Sequence, residues 1–223
     1  MINIENLKKI KEEIGQEVKL IAVSKKQPDE KVREILDLGH AILGENYVQN
    51  MQKRYEQFSS EPIEWHMIGH LQSNKVKYIA HFVNMIHGVD SYKLLEFINK
   101  EALKNNRVID CLLQVHIAQE ESKFGLDESE VRQILDMPDL YTLKNIRLCG
   151  FMGMATFTDD MSKVRKEFSY LRKLFDQIKQ NYFSQQSCFS EISMGMSDDY
   201  QIAVEEGSTM VRIGTAIFGQ RTY

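Results

Sequence analysis

Apolar residues along this chain are grouped into eight short runs, and segments with a helical repeat separate the runs. Each run is apolar on successive positions, which is typical of strands that are covered on both faces in a parallel sheet. The segments between them repeat apolar residues every three or four positions, as amphipathic helices do. The predicted strands are residues 18–25, 41–46, 63–69, 84–89, 109–118, 146–155, 191–196 and 209–213.

Eight strand–helix units predict an α/β protein, a single (β/α)8 TIM barrel that forms one domain over residues 1–223. An open doubly wound sheet is the alternative, although no glycine-rich dinucleotide turn follows any predicted strand. Ten residues follow the last strand, too few for a full eighth helix, so we expect the N-terminal helix to complete the outer ring. The predicted helices are residues 2–14, 28–39, about 47–58, 72–82, 91–103, 127–137, 161–180 and 198–206.

Two lysines, Lys25 and Lys26, follow the first predicted strand. Burying an ammonium group is costly, and a desolvated lysine responds with a lowered pKa that makes it a nucleophile. Such an amine can form a Schiff base with a carbonyl ligand, above all with pyridoxal 5'-phosphate (PLP). The alternative is that one or both lysines are solvated in the loop after the strand. Strand parity favours Lys25 as the inward residue, because it shares a face with Ile21 and Val23.

The ends of the seventh and eighth strands predict a phosphate site. Barrels often bind phosphate at the loops after these two strands, where free backbone N–H groups of a helix start meet the anion. Gly214 allows close backbone approach, Thr215 is expected to cap residues 216–218, and Ser197 is expected to cap the helix that begins at Asp198. Ordinary turn and cap residues are the alternative interpretation.

Arg212 lies one step inside the eighth strand, beneath that predicted phosphate site. It is expected to pair with a carboxylate or to face a ring nitrogen of PLP. A salt bridge to Asp198, Asp199 or Glu205 is the structural alternative. The two acids at 198 and 199 are interpreted as helix-dipole partners rather than as a catalytic pair.

Composition narrows the classes of function. The chain has 223 residues, 43% of them hydrophobic, and a net charge of −4, which gives no general electrostatic case for binding nucleic acid or an anionic membrane. Three widely spaced cysteines, two of them (Cys111 and Cys149) in apolar runs, suggest reduced thiols. With no signal region and no membrane-length apolar run, the expected location is the cytoplasm.

Metal and nucleotide-hydrolysis sites lack support in the sequence. His66 and His70 are four residues apart but straddle a predicted strand end, so they do not share a helix face as zinc ligands would. No Cys-x-x-Cys, His-Glu-x-x-His or Walker phosphate loop occurs. Lys123 follows the fifth strand, where loop solvation is a simpler role for it than ligand contact.

A set of ordered motifs spanning essentially the whole chain resembles the YggS/PROSC family of pyridoxal phosphate homeostasis proteins. A departure is seen at Lys26 and Gln27, where the family often has other residues before the proline, and it affects no central position. The matching motifs are residues 22–25 (AVSK), 44–49 (GENYVQ), 65–69 (WHMIG), 71–75 (LQSNK), 122–125 (SKFG), 193–199 (SMGMSDD) and 207–219 (GSTMVRIGTAIFG).

This resemblance implies a barrel similar to the N-terminal domain of alanine racemases, with PLP as the cofactor. It implies that Lys25 forms the Schiff base with PLP and that Arg212 faces the pyridine nitrogen. The remaining implied cofactor-binding residues are Ser197, Gly214 and Thr215 around the phosphate, Asn46 and His66 near the ring, and Met154 on the floor of the pocket. No catalytic residue and no metal ligand is implied.

The resembling racemases carry a second domain that supplies a tyrosine base, and this chain ends at Tyr223 soon after the predicted phosphate loop. We therefore expect a non-catalytic, monomeric PLP-binding protein that buffers the cofactor or delivers it to PLP-dependent apo-enzymes. A weak PLP-dependent amino-acid racemase or lyase is the alternative. A third hypothesis, an aldolase-type phosphosugar enzyme with Lys25 as the Schiff-base residue, predicts no yellow chromophore.

Overall fold

The computed structural model describes residues 1–119 and 125–219, and eight parallel strands in this part of the chain close into a barrel. The strands follow one another around the barrel in chain order, and the last pairs with the first, which confirms the (β/α)8 prediction over the open sheet. The strands are β1 Lys19–Val23, β2 Ile42–Glu45, β3 Glu64–Met67, β4 Met85–Val89, β5 Ile109–Val115, β6 Ile146–Gly153, β7 Glu191–Ser193 and β8 Met210–Ile213.

Helices cover the outside of the barrel, and four of the eight described α-helices follow a residue whose side chain accepts a hydrogen bond from the first turn. Asn3 caps the first helix, Ser91 the fourth and Asp127 the fifth, as expected from their short polar side chains. The α-helices are α1 Ile4–Ile14, α2 Asp29–Asp37, α3 Val48–Gln57, α4 Tyr92–Lys104, α5 Glu128–Leu135, α6 Met161–Tyr182, α7 Tyr200–Glu205 and α8 Thr215–Phe218.

The connection between β3 and β4 differs from the predicted helix at residues 72–82. It is a 3₁₀-helix at Ser73–Tyr78, and a second 3₁₀-helix occupies Pro138–Thr142. A 3₁₀-helix rises about 2.0 Å per residue rather than about 1.5 Å, so a short segment spans more of the barrel edge. Val76 in this 3₁₀-helix is fully buried, and so are Ile79 and Ala80 in the turn that follows it, so the apolar side chains of the predicted helix still reach the core.

Helix α1 occupies the gap in the outer ring beside the four-residue helix α8, as predicted. The backbone N–H of Asn3 donates to the carbonyl of Ile217 at 2.8 Å, and the Asn6 side chain donates to the carbonyl of Ala216 at 3.1 Å. The Tyr200 hydroxyl of α7 donates to the Glu13 carboxylate of α1. The N-terminal helix is therefore attached to both α7 and α8.

The apolar core has two layers, one between the strands and the helices and one inside the barrel. The two cysteines from apolar runs, Cys111 and Cys149, are buried free thiols. Burial raises the pKa of the Cys149 thiol to about 12, so it stays protonated. None of the described helices combines the length and apolar composition needed to cross a bilayer. The inner layer consists of Ile21, Val23, Ile68, Met85, Leu112, Cys149, Met152 and Met210.

A buried ion pair holds the β1–α2 loop, which carries Lys25. Arg54 of α3 donates to the carbonyl of Ser24 at 2.7 Å and to the carbonyl of Gln27. Its guanidinium also lies 3.0 Å from Glu45 Oε1 at the end of β2, and the Ser24 hydroxyl donates to the same oxygen at 2.7 Å. One arginine therefore fixes both ends of the loop and compensates a buried carboxylate.

The Glu45 carboxyl group has no exposed surface, and burial raises its pKa, against the lowering effects of Arg54 and the Ser24 hydroxyl. Its Oε2 atom finds no hydrogen-bond partner among residues 1–119 and 125–219. A carboxylate in this setting depends on its remaining partners, because an unpaired buried charge is strongly destabilising.

We expect Arg54→Met to lower the free energy of unfolding by about 3–5 kcal/mol, since the change removes one partner of a buried ion pair. Arg165→Met is the matched control, because Arg165 pairs with Glu205 and Glu206 on the surface, where ion pairs contribute little. Urea denaturation followed by circular dichroism measures both variants. Equal, small losses in the two variants would show that the Glu45–Arg54 pair is not needed for stability.

Candidate functional site

A cavity of about 210 Å³ opens at the C-terminal ends of the strands, the end of a TIM barrel where ligand sites are found. Its wall is formed by one residue each of β1 and β8 and by residues that follow β1, β2, β3, β6, β7 and β8. Seven of the eight site residues predicted from the sequence line it: Lys25, Asn46, Met154, Ser197, Arg212, Gly214 and Thr215.

Lys25 and Lys26 separate to opposite sides of the β1–α2 loop. Val23 and Lys25 both line the cavity, in agreement with their shared strand parity. Lys26 adopts a left-handed conformation with φ 59° and lines a separate outer depression with Asn50 and Lys53. The turn between the two lysines thus sends one amine inward and the other outward.

The loops after β7 and β8 meet at the cavity, but their helices begin at other residues than predicted. Gly214, not Thr215, is the N-cap of α8, and Thr215 is its first residue. Helix α7 begins at Tyr200 with Asp199 as its N-cap, so Ser197 does not cap it. The reason is local, because Asp199 Oδ1 accepts a hydrogen bond from the Met196 N–H at 2.6 Å and holds the preceding residues in a turn.

Gly214 brings the backbone close to β1. A Cβ atom at this position would lie 3.3 Å from the Val23 carbonyl oxygen and 3.4 Å from Val23 Cβ, tighter than usual for a side-chain carbon. The first N–H groups of a helix have no partner within the helix, so those at the start of α8 are available to an anion. Ser197 and Thr215 add hydroxyl groups to the same part of the wall.

Arg212 presents a nearly buried cation to the cavity. It is 5% exposed, and its guanidinium donates to Ser193 Oγ at 2.6 Å and to the carbonyl of Gly153 at 3.0 Å. Burial lowers the pKa of Arg212 to about 10, and the charge of Asp199 opposes that shift. The group remains a cation with donors only at neutral pH.

The other walls contain two further predicted residues and several that sequence reasoning missed. The side-chain oxygen Oδ1 of Asn46 is buried and finds no partner among the described residues, which leaves it able to accept a hydrogen bond from a ligand. Met154 supplies an apolar wall. The residues missed are Val23, Gln27, Ile68, Phe157, Met196 and Asp198.

A signal existed for two of these missed residues. Asp198 belongs to the motif that carries Ser197, but the sequence favoured a helix-dipole role, whereas the chain enters α7 only at Tyr200. Phe157 is 85% exposed at the mouth, and its place just after the sixth predicted strand, where the ligand sites of TIM barrels are built, was the signal. The apolar residues look like any other core position in the sequence.

His66 is the predicted site residue that the structure does not bring to the cavity. Its side chain is fully buried in the barrel interior, with Nδ1 2.9 Å from His87 Nε2 and Nε2 2.8 Å from Glu64 Oε1. It lies one inward position before Ile68, which lines the cavity in its place. Lys123 lies outside the described residues.

Comparisons with known proteins agree with this geometry. The family model for the alanine racemase N-terminal domain matches residues 4–222. The pyridoxal phosphate homeostasis protein of Aquifex aeolicus is 40% identical over 207 residues, covering 92% of this chain and 88% of that protein. The corresponding protein of Haemophilus influenzae is 38% identical over 208 residues, covering 92% of this chain and 86% of that protein.

Solved structures give the same result. PipY of Synechococcus elongatus with PLP bound superposes with a TM-score of 0.88 at 32% identity, over 96% of this chain and 99% of that one. Alanine racemase of Clostridium difficile has a TM-score of 0.72 at 16% identity, over 96% of this chain and 60% of that one, a likeness of fold alone. The chain belongs to the pyridoxal phosphate homeostasis protein family, built on the alanine racemase N-terminal domain fold.

Proposed function

We propose that this protein binds PLP in the cavity at the C-terminal ends of the strands and takes part in PLP homeostasis by holding or delivering the cofactor. The relatives named for PLP homeostasis and the PLP-bound PipY structure support the cofactor. The observation in this chain that carries the proposal is the placement of Lys25, Arg212 and Gly214 around one cavity.

The residues present fit the cofactor on three sides. Asn46 Oδ1, buried without a partner among residues 1–119 and 125–219, offers an acceptor to a polar ring substituent. Gly214 leaves room for a close-lying group where a side chain would crowd Val23. Ser197 and Thr215, with the first N–H groups of α8, would hold the phosphate.

Lys25 would hold the cofactor covalently. Its amine would be the group that binds the cofactor's aldehyde as a Schiff base, a condensation that releases water and needs no oxidant. When bound, PLP supplies an electron sink for chemistry on amino acids. The β1–α2 loop, fixed by Arg54, sets the direction from which the Lys25 amine approaches.

Arg212 would face the pyridine nitrogen of the ring. A guanidinium has donors only and stays charged, so it discourages protonation of that nitrogen. An unprotonated ring withdraws electrons less well, which limits the carbanion chemistry that the site can support. This property favours a holding role over turnover of amino acids and supports a non-catalytic function.

We place this role in the cytoplasm, because the buried free thiols of Cys111 and Cys149 suit a reducing compartment.

Delivery to PLP-dependent apo-enzymes and a monomeric state stay predictions. Size-exclusion chromatography with light scattering measures the oligomeric state directly, and a dimer would contradict the predicted monomer.

We expect borohydride reduction of the holo-protein, followed by peptide mass mapping, to find the phosphopyridoxyl group on Lys25. The adduct should persist in Lys26→Ala and disappear in Lys25→Ala, because Lys25 is the lysine that lines the cavity among residues 1–119 and 125–219. Lys26→Ala is the matched control, since it removes the neighbouring amine of the outer depression. An adduct on Lys26 in the parent protein would refute the assignment.

We expect no protein-dependent exchange of the Cα hydrogen for deuterium when the holo-protein is incubated with L- and D-amino acids in deuterated water. The physical reason is the donor-only Arg212 at the ring nitrogen. Mass spectrometry measures the deuterium, and free PLP at equal concentration is the control. Incorporation well above that control, lost in Lys25→Ala, would overturn the non-catalytic role and favour a racemase or lyase.

A further inference from the structure

A continuous chain of hydrogen-bonding side chains crosses the barrel interior from the N-terminal mouth to the cavity. Glu64, the first residue of β3, is at the mouth with a 45% exposed side chain, and its Oε1 lies 2.8 Å from His66 Nε2. His66 Nδ1 is 2.9 Å from His87 Nε2, and His87 Nδ1 is 2.9 Å from Ser193 Oγ. Ser193 Oγ then accepts the 2.6 Å hydrogen bond from Arg212.

The two ends of this chain determine the direction of every hydrogen bond in it. A guanidinium can only donate and a carboxylate can only accept. The hydrogen bond with His66 lowers the pKa of Glu64, so its carboxyl group is ionised, and burial lowers the pKa of His87 well below 6.5, so its ring is neutral. The Ser193 hydroxyl then donates to His87 Nδ1, His87 Nε2–H to His66 Nδ1, and His66 Nε2–H to Glu64.

The opposite direction leaves a polar group unsatisfied. If His87 donated from Nδ1 to Ser193, the hydroxyl oxygen would accept from both His87 and Arg212. Its own proton would then have no acceptor among the described residues, in a side chain with no exposed surface. His66 would also have to be an imidazolium to keep its hydrogen bond with Glu64. The direction from Arg212 to Glu64 satisfies every member without a second buried cation.

Such a chain of buried polar side chains is unusual for the barrel interior of this fold. TIM-barrel interiors are normally filled by branched apolar side chains. Here His66, His87 and Ser193 are all fully buried and polar. Polar networks inside a protein are stabilising only when every member is satisfied, and their hydrogen bonds then polarise one another. A carboxylate at one end strengthens the acceptor that Arg212 uses at the other.

We propose that Ser193, His87 and His66 are positioning residues that link Arg212 to the Glu64 carboxylate and thereby hold the guanidinium in its orientation toward the cofactor ring. The proposal deepens the proposed function and rests on it where the cofactor is concerned. The tautomers of the two histidines follow from the chain of hydrogen bonds alone, so they are testable without PLP.

The first experiment is nitrogen NMR of the apo-protein labelled with ¹⁵N-histidine, with the two signals assigned from His66→Gln and His87→Gln. We expect both rings to be neutral and protonated at Nε2. A proton at Nδ1 of His87, or a cationic His66 ring at neutral pH, would overturn the direction of the chain.

The second experiment compares Ser193→Ala, Glu64→Gln and Glu191→Gln in the holo-protein. Glu191 is the matched control, because it lies at the same mouth, bonded to Lys19 and Thr209, outside the chain. Ser193→Ala should raise the PLP dissociation constant about two- to tenfold, the effect of one lost hydrogen bond. It should also shift the absorption band of the bound cofactor and its pH profile. Glu64→Gln should shift the absorption band and its pH profile in the same direction as Ser193→Ala but by a smaller amount. Glu191→Gln should match the parent protein.

These measurements distinguish a failure of the proposed hydrogen-bond chain from a failure of the proposed cofactor site. The Lys25 adduct should be present in all three variants, and its absence from the parent would refute the proposed function rather than the chain. Spectra identical to the parent in Ser193→Ala and Glu64→Gln, or equal shifts in Glu64→Gln and Glu191→Gln, would refute the positioning role. If Ser193→Ala fails to fold, Glu64→Gln decides, since its side chain is half exposed and its substitution keeps the shape.

Discussion

The pairing of β1 with β8 closes the barrel, with Lys19 opposite Met210 and Ala22 opposite Ile213. These strands come from the two ends of the chain, and the loops that follow them carry Lys25 and Gly214. Without this pairing Lys25 and Gly214 would be on unconnected edges of a sheet. Helix α1 supports the closure from outside, because it bonds to the carbonyls of Ala216 and Ile217. The site is therefore a consequence of closure rather than of any local motif.

Closure also creates an interior in which charges need compensation, and the barrel provides it differently at its two sides. Glu45 and Arg54 pair directly beneath the Lys25 loop. Arg212, in contrast, donates to the neutral acceptors Ser193 Oγ and Gly153 O. An arginine paired with a carboxylate has its positive charge largely compensated. An arginine that donates to neutral acceptors keeps more of that charge available to a ligand. The first arrangement fixes a loop, and the second leaves a cation facing the cavity.

The sequence pattern was sufficient to predict the barrel and five of the residues that line the cavity, and the family resemblance added Asn46 and Met154. Strand ends and strand parity follow from local patterns. Lys25 could be distinguished from Lys26 in this way. His66 could not be placed, since the strand gives its face but not its depth along the barrel axis. The starts of α7 and α8 were wrong for another reason. A local hydrogen bond from the Met196 N–H to Asp199 Oδ1 holds the residues before α7 in a turn, and Gly214 rather than Thr215 is the N-cap of α8.

The depth of a residue inside a barrel decides what its chemistry can reach. Ile68 and His66 share an inward face of the β3 segment, yet one lines the cavity and the other is sealed below it. A histidine at the upper position would be available to exchange protons with a ligand. At the lower position it reaches the ligand only through the side chains between them, His87, Ser193 and Arg212. A residue can thus lie within a motif of the candidate site and not line the cavity, and we propose that His66 acts there by orienting Arg212.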